Sequence, residues 1–464
     1  MKLNGILFLL LIWLAGNSQS DVQLSYNNFI ATMLQNNPKA KIADNIKRYG
    51  QAQFTASRGN YDPILIGSYD QKQFKNSNYF TLFNAEVKQQ IFTSQYFKFG
   101  YDYGIGNNIN PEIQTPDYGL PYMGVEVGLL QGLLIDKRRA EVLKSKAYAN
   151  YYDAEREIQL NNLLFDASQG YFDWLFTLKQ LWLNNYFMQV AKQRLIGIEA
   201  LANIGERATV DTIEAAIFYQ TRLLDYQNAV IENQKSINYL AFYNQQSTSN
   251  TPMPTTILAT DSLDYYYNSA KNIIAERLSI EPLLNPVLTK YKSFQNVLDI
   301  DKRLKKEMIK PRLNVNYNFL SGSTTNVNPL FSTNNYKWGA NVSFPLFFRN
   351  SVNEYKMAKF MSQNNTFDLV YKENELTYKL NIIKQTISTL LEQLLNAEKS
   401  VKYSKLLVEA EKLKFLNGES TLFILNARES KLLEFELKLL EYKLKIIKTV
   451  LNIMYLKGDL NYKL

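Results

Sequence analysis

Long stretches of the chain place apolar residues at steps that alternate between four and three. Leu160, Leu164, Ala167, Tyr171, Trp174, Leu178 and Leu181 lead on through Asn185 to Met188, within a stretch from Lys137 to about Leu201 that holds no proline. Leu376, Leu380, Ile383, Ile387, Leu390, Leu394, Ala397 and Val401 keep the same alternation. So do Leu433, Leu437, Leu440, Leu444, Ile447, Leu451 and Met454. Such steps mark a coiled-coil seam. At 1.5 Å per residue the first helix would run on the order of 95 Å, too long for its seam to be buried in one globule. The pattern predicts elongated helical hairpins, turned at Gly205 and at Gly418.

This plan is written twice. Asn37-Pro38 recurs as Asn285-Pro286, and the spacing from Pro38 to Pro63 equals that from Pro286 to Pro311. Proline suits the first turn of a helix and stops one already running, so each pair brackets a helix and opens a strand-like run, Ile64 to Tyr69 and Arg312 to Leu320. Further on, Gly124-Val125-Glu126-Val127-Gly128 is echoed by Gly339-Ala340-Asn341-Val342-Ser343, and Gly205-Glu206 by Gly418-Glu419. The Asn-Pro landmarks lie farther apart than the later ones, so the first copy holds an inserted β segment between Pro63 and Gly124, at about 78–108.

Each copy therefore reads helix, strands, long helix, tight turn, helix. The helix after each turn, Thr209 to Tyr243 or Thr421 to Leu456, is about half as long as the one before it. The opening helices, Lys39 to Ser57 and Asn285 to Glu307, supply the other half, so two short helices stacked end to end can flank one long one. The domain plan is a signal peptide at 1–20, a first repeat at 21–249, a linker and equatorial region at 250–280, and a second repeat at 281–464. A Ser-, Thr- and Pro-rich run, Gln245 to Thr256, separates the copies, and Ser262 to Ile274 reads as a small connecting helix.

The strand runs carry aromatic and β-branched residues at roughly period two, as in Tyr317, Phe319, Tyr336, Trp338, Val342 and Phe344. A strand of about ten residues crosses a bilayer in a barrel. Backbone hydrogen bonds cannot be left open in lipid, so a chain with too few strands to close a pore must pool them with other chains.

Composition narrows the chemistry. Lys2, the apolar run Leu3 to Leu14, and Ser18 and Ser20 before Asp21 form an export signal cut after residue 20. No later run is long and apolar enough for a transmembrane helix. Neither cysteine nor histidine occurs, which removes disulfides, thiolate sites and imidazole acid–base chemistry. No catalytic, cofactor or metal site is expected. The net charge of +9 comes without a nucleic-acid motif and reads as solvated surface. Basic runs at Lys137, Arg138 and Arg139, and at Lys302, Arg303, Lys305 and Lys306, are candidates to meet phosphate headgroups.

Together these features resemble the TolC family of outer-membrane factors over essentially the whole mature chain. The residues that carry the resemblance are Asn37-Pro38, Ser343-Phe344-Pro345-Leu346-Phe347 at a strand-to-helix junction, and the two turns. The most specific stretch is Gly418-Glu419-Ser420-Thr421 followed by Leu425-Asn426-Ala427-Arg428-Glu429. The resemblance implies a mainly α fold with membrane β-strands, forming as a homotrimer a twelve-stranded β-barrel continued by a long α-helical barrel of twelve helices. It implies an outer-membrane channel with a long periplasmic extension in a Gram-negative bacterium, serving tripartite efflux or type I secretion. The implied partners are outer-membrane lipid, a periplasmic adaptor (membrane fusion) protein and, through it, an inner-membrane pump.

Adaptor contact would fall on Ile204, Gly205 and Glu206 and on Asn417, Gly418 and Glu419. Family channels often narrow at acidic residues just past the second turn; here Phe423 and Asn426 take those places, which predicts a hydrophobic periplasmic gate, while Asp211 and Glu214 follow the first turn. The first copy also departs at Leu130-Gln131, where the family's Pro-Leu would fall. The main rival is a secreted coiled-coil scaffold or adhesin stalk without a pore, which explains the heptads but not the proline-flanked strands. A carboxylate glycosidase is weaker still, because no motif pairs the acidic residues.

Overall fold

The computed structural model describes residues 22–91, 94–244, 257–277, 285–322, 331–458 and 460. The signal peptide and the 245–256 linker lie outside these residues. In chain order the elements are β1 (Val22–Leu24), α1 (Tyr26–Asn36), α2 (Pro38–Arg58), β2 (Ile64–Phe74), β3 (Ser77–Gln90), β4 (Gln95–Ile105) and β5 (Leu120–Gly128). Then follow α3 (Lys137–Asn203), α4 (Thr209–Asn244), β6 (Ile257–Ala259), α5 (Leu263–Arg277) and α6 (Pro286–Glu307). The chain continues through β7 (Arg312–Ser321), β8 (Phe331–Ser343), α7 (Arg349–Leu416) and α8 (Leu422–Lys457). It divides into a helical unit (residues up to 44, 157–285 and from 373) and a second unit (45–156 and 286–372) that holds the main sheet; each draws on both copies.

In the helical unit the seams are where the hydrophobic spacing puts them. All eight residues of the Leu376-to-Val401 series are buried, as are Leu433, Leu440, Leu444, Ile447, Leu451 and Met454 on α8. On α3 the buried stripe is wider than the expected seam. Leu164, Ala167, Tyr171, Trp174 and Met188 are buried, but so are Phe172, Leu175, Leu183 and Phe187, while Leu178, Leu181 and Asn185 are half-buried. The cause is packing from several sides: Tyr26 of α1 stacks on Phe172, Tyr455 of α8 stacks on Phe165, and Glu429 of α8 pairs with Arg194. Tyr26, Phe29, Tyr171, Phe172 and Tyr266 form an aromatic cluster. The Tyr26 and Ser168 hydroxyls bond at 2.8 Å, and the Tyr171 hydroxyl donates to the Leu24 carbonyl of β1, which pairs in parallel with β6. Desolvation pushes the Tyr26 phenol up to about 12 and raises those of Tyr171 and Tyr266 as well.

The repeated Asn-Pro pair has one physical role in both copies. Asn37 donates its side-chain amide to the Tyr243 carbonyl at the end of α4, and Asn285 donates to the Leu456 carbonyl at the end of α8, at 2.9 and 2.7 Å. Pro38 and Pro286 open α2 and α6 at a position that needs no N–H. One short helix thus begins where another ends, and the asparagine satisfies a carbonyl that helix termination leaves open.

The hairpin turns also share their two closing bonds. Glu206 N–H donates to Leu201 and Gly205 N–H to Ala202; Glu419 N–H donates to Lys414 and Gly418 N–H to Phe415. These are Schellman closures, and they need a left-handed residue, supplied by Gly205 at φ +79° and Gly418 at φ +77°. Thr421 then caps α8, its hydroxyl accepting from the Ile424 N–H.

The main sheet runs in the order β2-β3-β4-β5-β7-β8, antiparallel throughout. Four strands per chain follow from a twelve-stranded trimer; among the described residues the sheet holds six. The difference is the inserted segment, expected at 78–108, which supplies β3 and β4 as full-length members between β2 and β5. Lys75 and Asn76, both at positive φ, form the two-residue turn joining β2 to β3.

Candidate functional site

Directly paired residues of neighbouring strands share a face, so the register sorts the side chains of the sheet. One rung, Leu65–Val87–Phe99–Met123–Phe319–Tyr336, crosses all six strands without a charged group. Its neighbour on the opposite face reads Ile64–Lys88–Lys98–Gly124–Asn318–Lys337. The first face also carries Tyr69, Phe83, Phe97, Tyr101, Val125, Tyr317 and Trp338, and much of it is exposed, Trp338 to 62%. Strand lengths of 9 to 14 residues match the thickness of a hydrocarbon layer.

The polar face is tied together by charge. Glu126 of β5 accepts from Lys88 of β3 at 2.8 Å and from Lys98 of β4 at 2.6 Å. Asn84 donates to Asp102 at 2.5 Å, and the Tyr122 hydroxyl donates to Glu86 at 2.8 Å. That last bond passes over Gly100, where a Cβ would come within 2.3 Å of the Tyr122 ring. Arg138, at the start of α3, donates to Gln90 and to the Tyr96 hydroxyl. The basic runs expected to meet headgroups are thus partly engaged within the chain: Arg138 as described, Lys302 with Asp299 and Lys305 with Glu354.

In the helical unit Ile204, Gly205, Glu206, Asn417, Gly418 and Glu419 are all exposed. Phe423 is 69% exposed and does not pack inside its hairpin. Asn426, expected to face a pore beside it, is 6% exposed and turned inward. Its carbonyl accepts from Arg194 at 2.9 Å, and the same guanidinium makes a two-pronged pair with Glu429. Arg222 donates to Ser430 at 2.7 Å and to Asp225, and burial lowers its pKa despite the nearby charges of Asp225 and Glu429. Among the described residues no cluster of carboxylates could hold a metal ion, and no helix is long and apolar enough to cross a membrane.

No protein-family model and no curated protein matches the chain in sequence. Solved structures do match. The open state of the Neisseria gonorrhoeae MtrE outer membrane channel superposes with a TM-score of 0.67 at 13% identity, over 94% of this chain and 90% of that one. The Campylobacter jejuni CmeC outer membrane channel gives 0.60 at 16%, over 94% and 85%, and the Vibrio cholerae outer membrane protein VceC gives 0.63 at 12%, over 93% and 96%. The chain has the outer-membrane channel fold.

Within that fold the sequence pointed to the turns, and the structure adds residues it did not single out. Arg194 and Glu429 lie more than two hundred positions apart, and nothing local marks them as partners. The Glu86–Gly100–Tyr122 rung was detectable in principle, because a glycine amid aromatics on a strand signals a close approach.

Proposed function

We propose that the chain is the subunit of an outer-membrane export channel, working as a homotrimer that takes solutes or proteins from a periplasmic adaptor (membrane fusion) protein and an inner-membrane pump. The observation that carries this reading is a sheet of membrane-spanning strand length with an apolar face, a charged face and two unpaired edges, β2 and β8. The apolar face suits lipid and the polar face suits a water-filled lumen, while the open edges require neighbouring copies. An exposed apolar stripe on α4, Val210, Ile213, Ile217, Leu224 and Ile231, supports burial against another copy. A conduit needs no catalytic group, and a stalk without a pore has no use for a two-faced sheet.

On this reading the exposed turns at 204–206 and 417–419 meet the adaptor. Phe423 supplies three apolar rings that close the periplasmic end by excluding water, whereas Asn426 stays within its own chain. Planar-bilayer recording of the purified protein tests the proposal. The expected result is a trimer whose conductance rises in Phe423→Ala; a stable monomer without conductance would refute the channel.

A further inference from the structure

We infer that the inserted hairpin β3–β4 belongs to the transmembrane wall itself, so that three copies close an eighteen-stranded barrel. The inference rests on the trimeric channel reading above and goes beyond it in strand number and aperture.

Three observations carry it. First, β3 and β4 lie between β2 and β5 in the sheet, and among the described residues β2 pairs with β3 alone. The hairpin cannot fold away as a flap without stripping β2 of its ladder, which is forbidden in lipid. Second, the apolar rung runs unbroken through Val87 of β3 and Phe99 of β4, and the water-facing ion pairs of Glu126 reach back to Lys88 and Lys98 on the same two strands. The insertion therefore keeps both the lipid side and the lumen side of the wall. Third, the parity is right. Six antiparallel strands leave β2 and β8 running in opposite senses, so β8 of one copy can pair antiparallel with β2 of the next. Three such head-to-tail joints close a ring with no free edge.

The consequence is width. Barrel diameter grows roughly linearly with strand number, so this wall is about 1.5-fold broader than one of twelve strands. The insertion brings Lys88 and Lys98 to the lumen face together with Glu86 and Asp102, so its own fixed charges on that face cancel and the wider mouth gains no net charge from it.

The cysteine-free chain makes the test clean. Single variants Asn84→Cys and Ala85→Cys place a thiol on the two faces of β3, and Asn316→Cys and Val315→Cys do so on β7. A charged, water-soluble methanethiosulfonate should step down single-channel current at Asn84→Cys and Asn316→Cys and leave Ala85→Cys and Val315→Cys silent. Equal reaction at Asn84→Cys and Ala85→Cys, with alternation kept on β7, would place the hairpin outside the membrane and overturn the inference while the channel stands. Loss of alternation on β7 as well would overturn the channel reading and the inference with it. Electron microscopy of the unmodified trimer in lipid discs gives an independent count: eighteen strands are expected, and twelve would overturn the proposal.

Discussion

The first copy contributes four strands to the main sheet and the second contributes two, yet the helices around them agree almost residue for residue. The long helices α3 and α7 have 67 and 68 residues, and α4 and α8 have 36 each. The opening helices α2 and α6 have 21 and 22. Helices joined end to end have no slack, since each extra residue adds about 1.5 Å and rotates every later side chain by a fraction of a turn. A sheet has slack of a different kind: it accepts a hairpin without moving the faces of its other strands. The copies also differ where their last helices begin. Leu422, Leu425, Asn426 and Glu429 on α8 are buried, whereas the first turns of α4 expose Val210, Ile213 and Ile217. The second hairpin is clamped within the chain by Arg194, and the first leaves an apolar face open.

That contrast can be broken most forcefully at the clamp. Glu429→Ala leaves the mostly covered Arg194 guanidinium without its counter-charge, and since losing one partner of a buried pair typically costs about 3–5 kcal/mol, a loss toward the lower end is expected. Thermal unfolding should fall accordingly, and an unchanged melting curve would mean that the pair does not hold the second hairpin. Smaller effects belong to the shared turns. Gly205→Val and Gly418→Val should each cost about 1–2 kcal/mol, since an added Cβ meets nothing within 4 Å at either site and only the left-handed backbone objects. Denaturant titration should show two similar losses, and a marked inequality would show that the turns differ in more than sequence. Adaptor pull-down should weaken in the double variant while trimers persist.

The smallest effect expected is that of pH between about 5.5 and 8, where a chain without histidine or cysteine has no side chain of ordinary pKa to titrate. Alkali is different. Tyr26 is raised to about 12 by burial, so its contribution is complete below the phenol's ordinary value of 10.0 and is lost as pH rises through 12. Tyrosinate absorbance followed alongside circular dichroism should show the buried phenols ionising only as helix is lost. Ionisation of all tyrosines near 10, with the helices intact, would contradict the aromatic core.

Much of this architecture could be read from local pattern because its causes are local. Proline spacing located the strands, glycine located both turns, and the four–three alternation of α7 found its buried face. The mismatch between two repeat offsets pointed to added β structure at about 78–108, the stretch in which β3 and β4 lie. The rest depended on partners that periodicity cannot name. The stripe of α3 widened because α1 and α8 press on more than one side of it. Asn426 turned inward because Arg194, brought from another helix, offers it a charged donor. Strand number within the insertion could not be counted because the sequence from Gln90 to Gln95 holds neither proline nor glycine to mark a break.

The asparagine joints have a mechanical meaning. At each, the rungs of one helix stop and those of another start, with a side-chain amide standing in for a missing backbone rung. Such a joint splices two helix ends that are distant in the chain, so the carbonyl that closes one helix is tied to the residue that opens the next. Asn37→Asp or Asn285→Asp, which swaps the donor for a repelling acceptor, is where such a splice should open first.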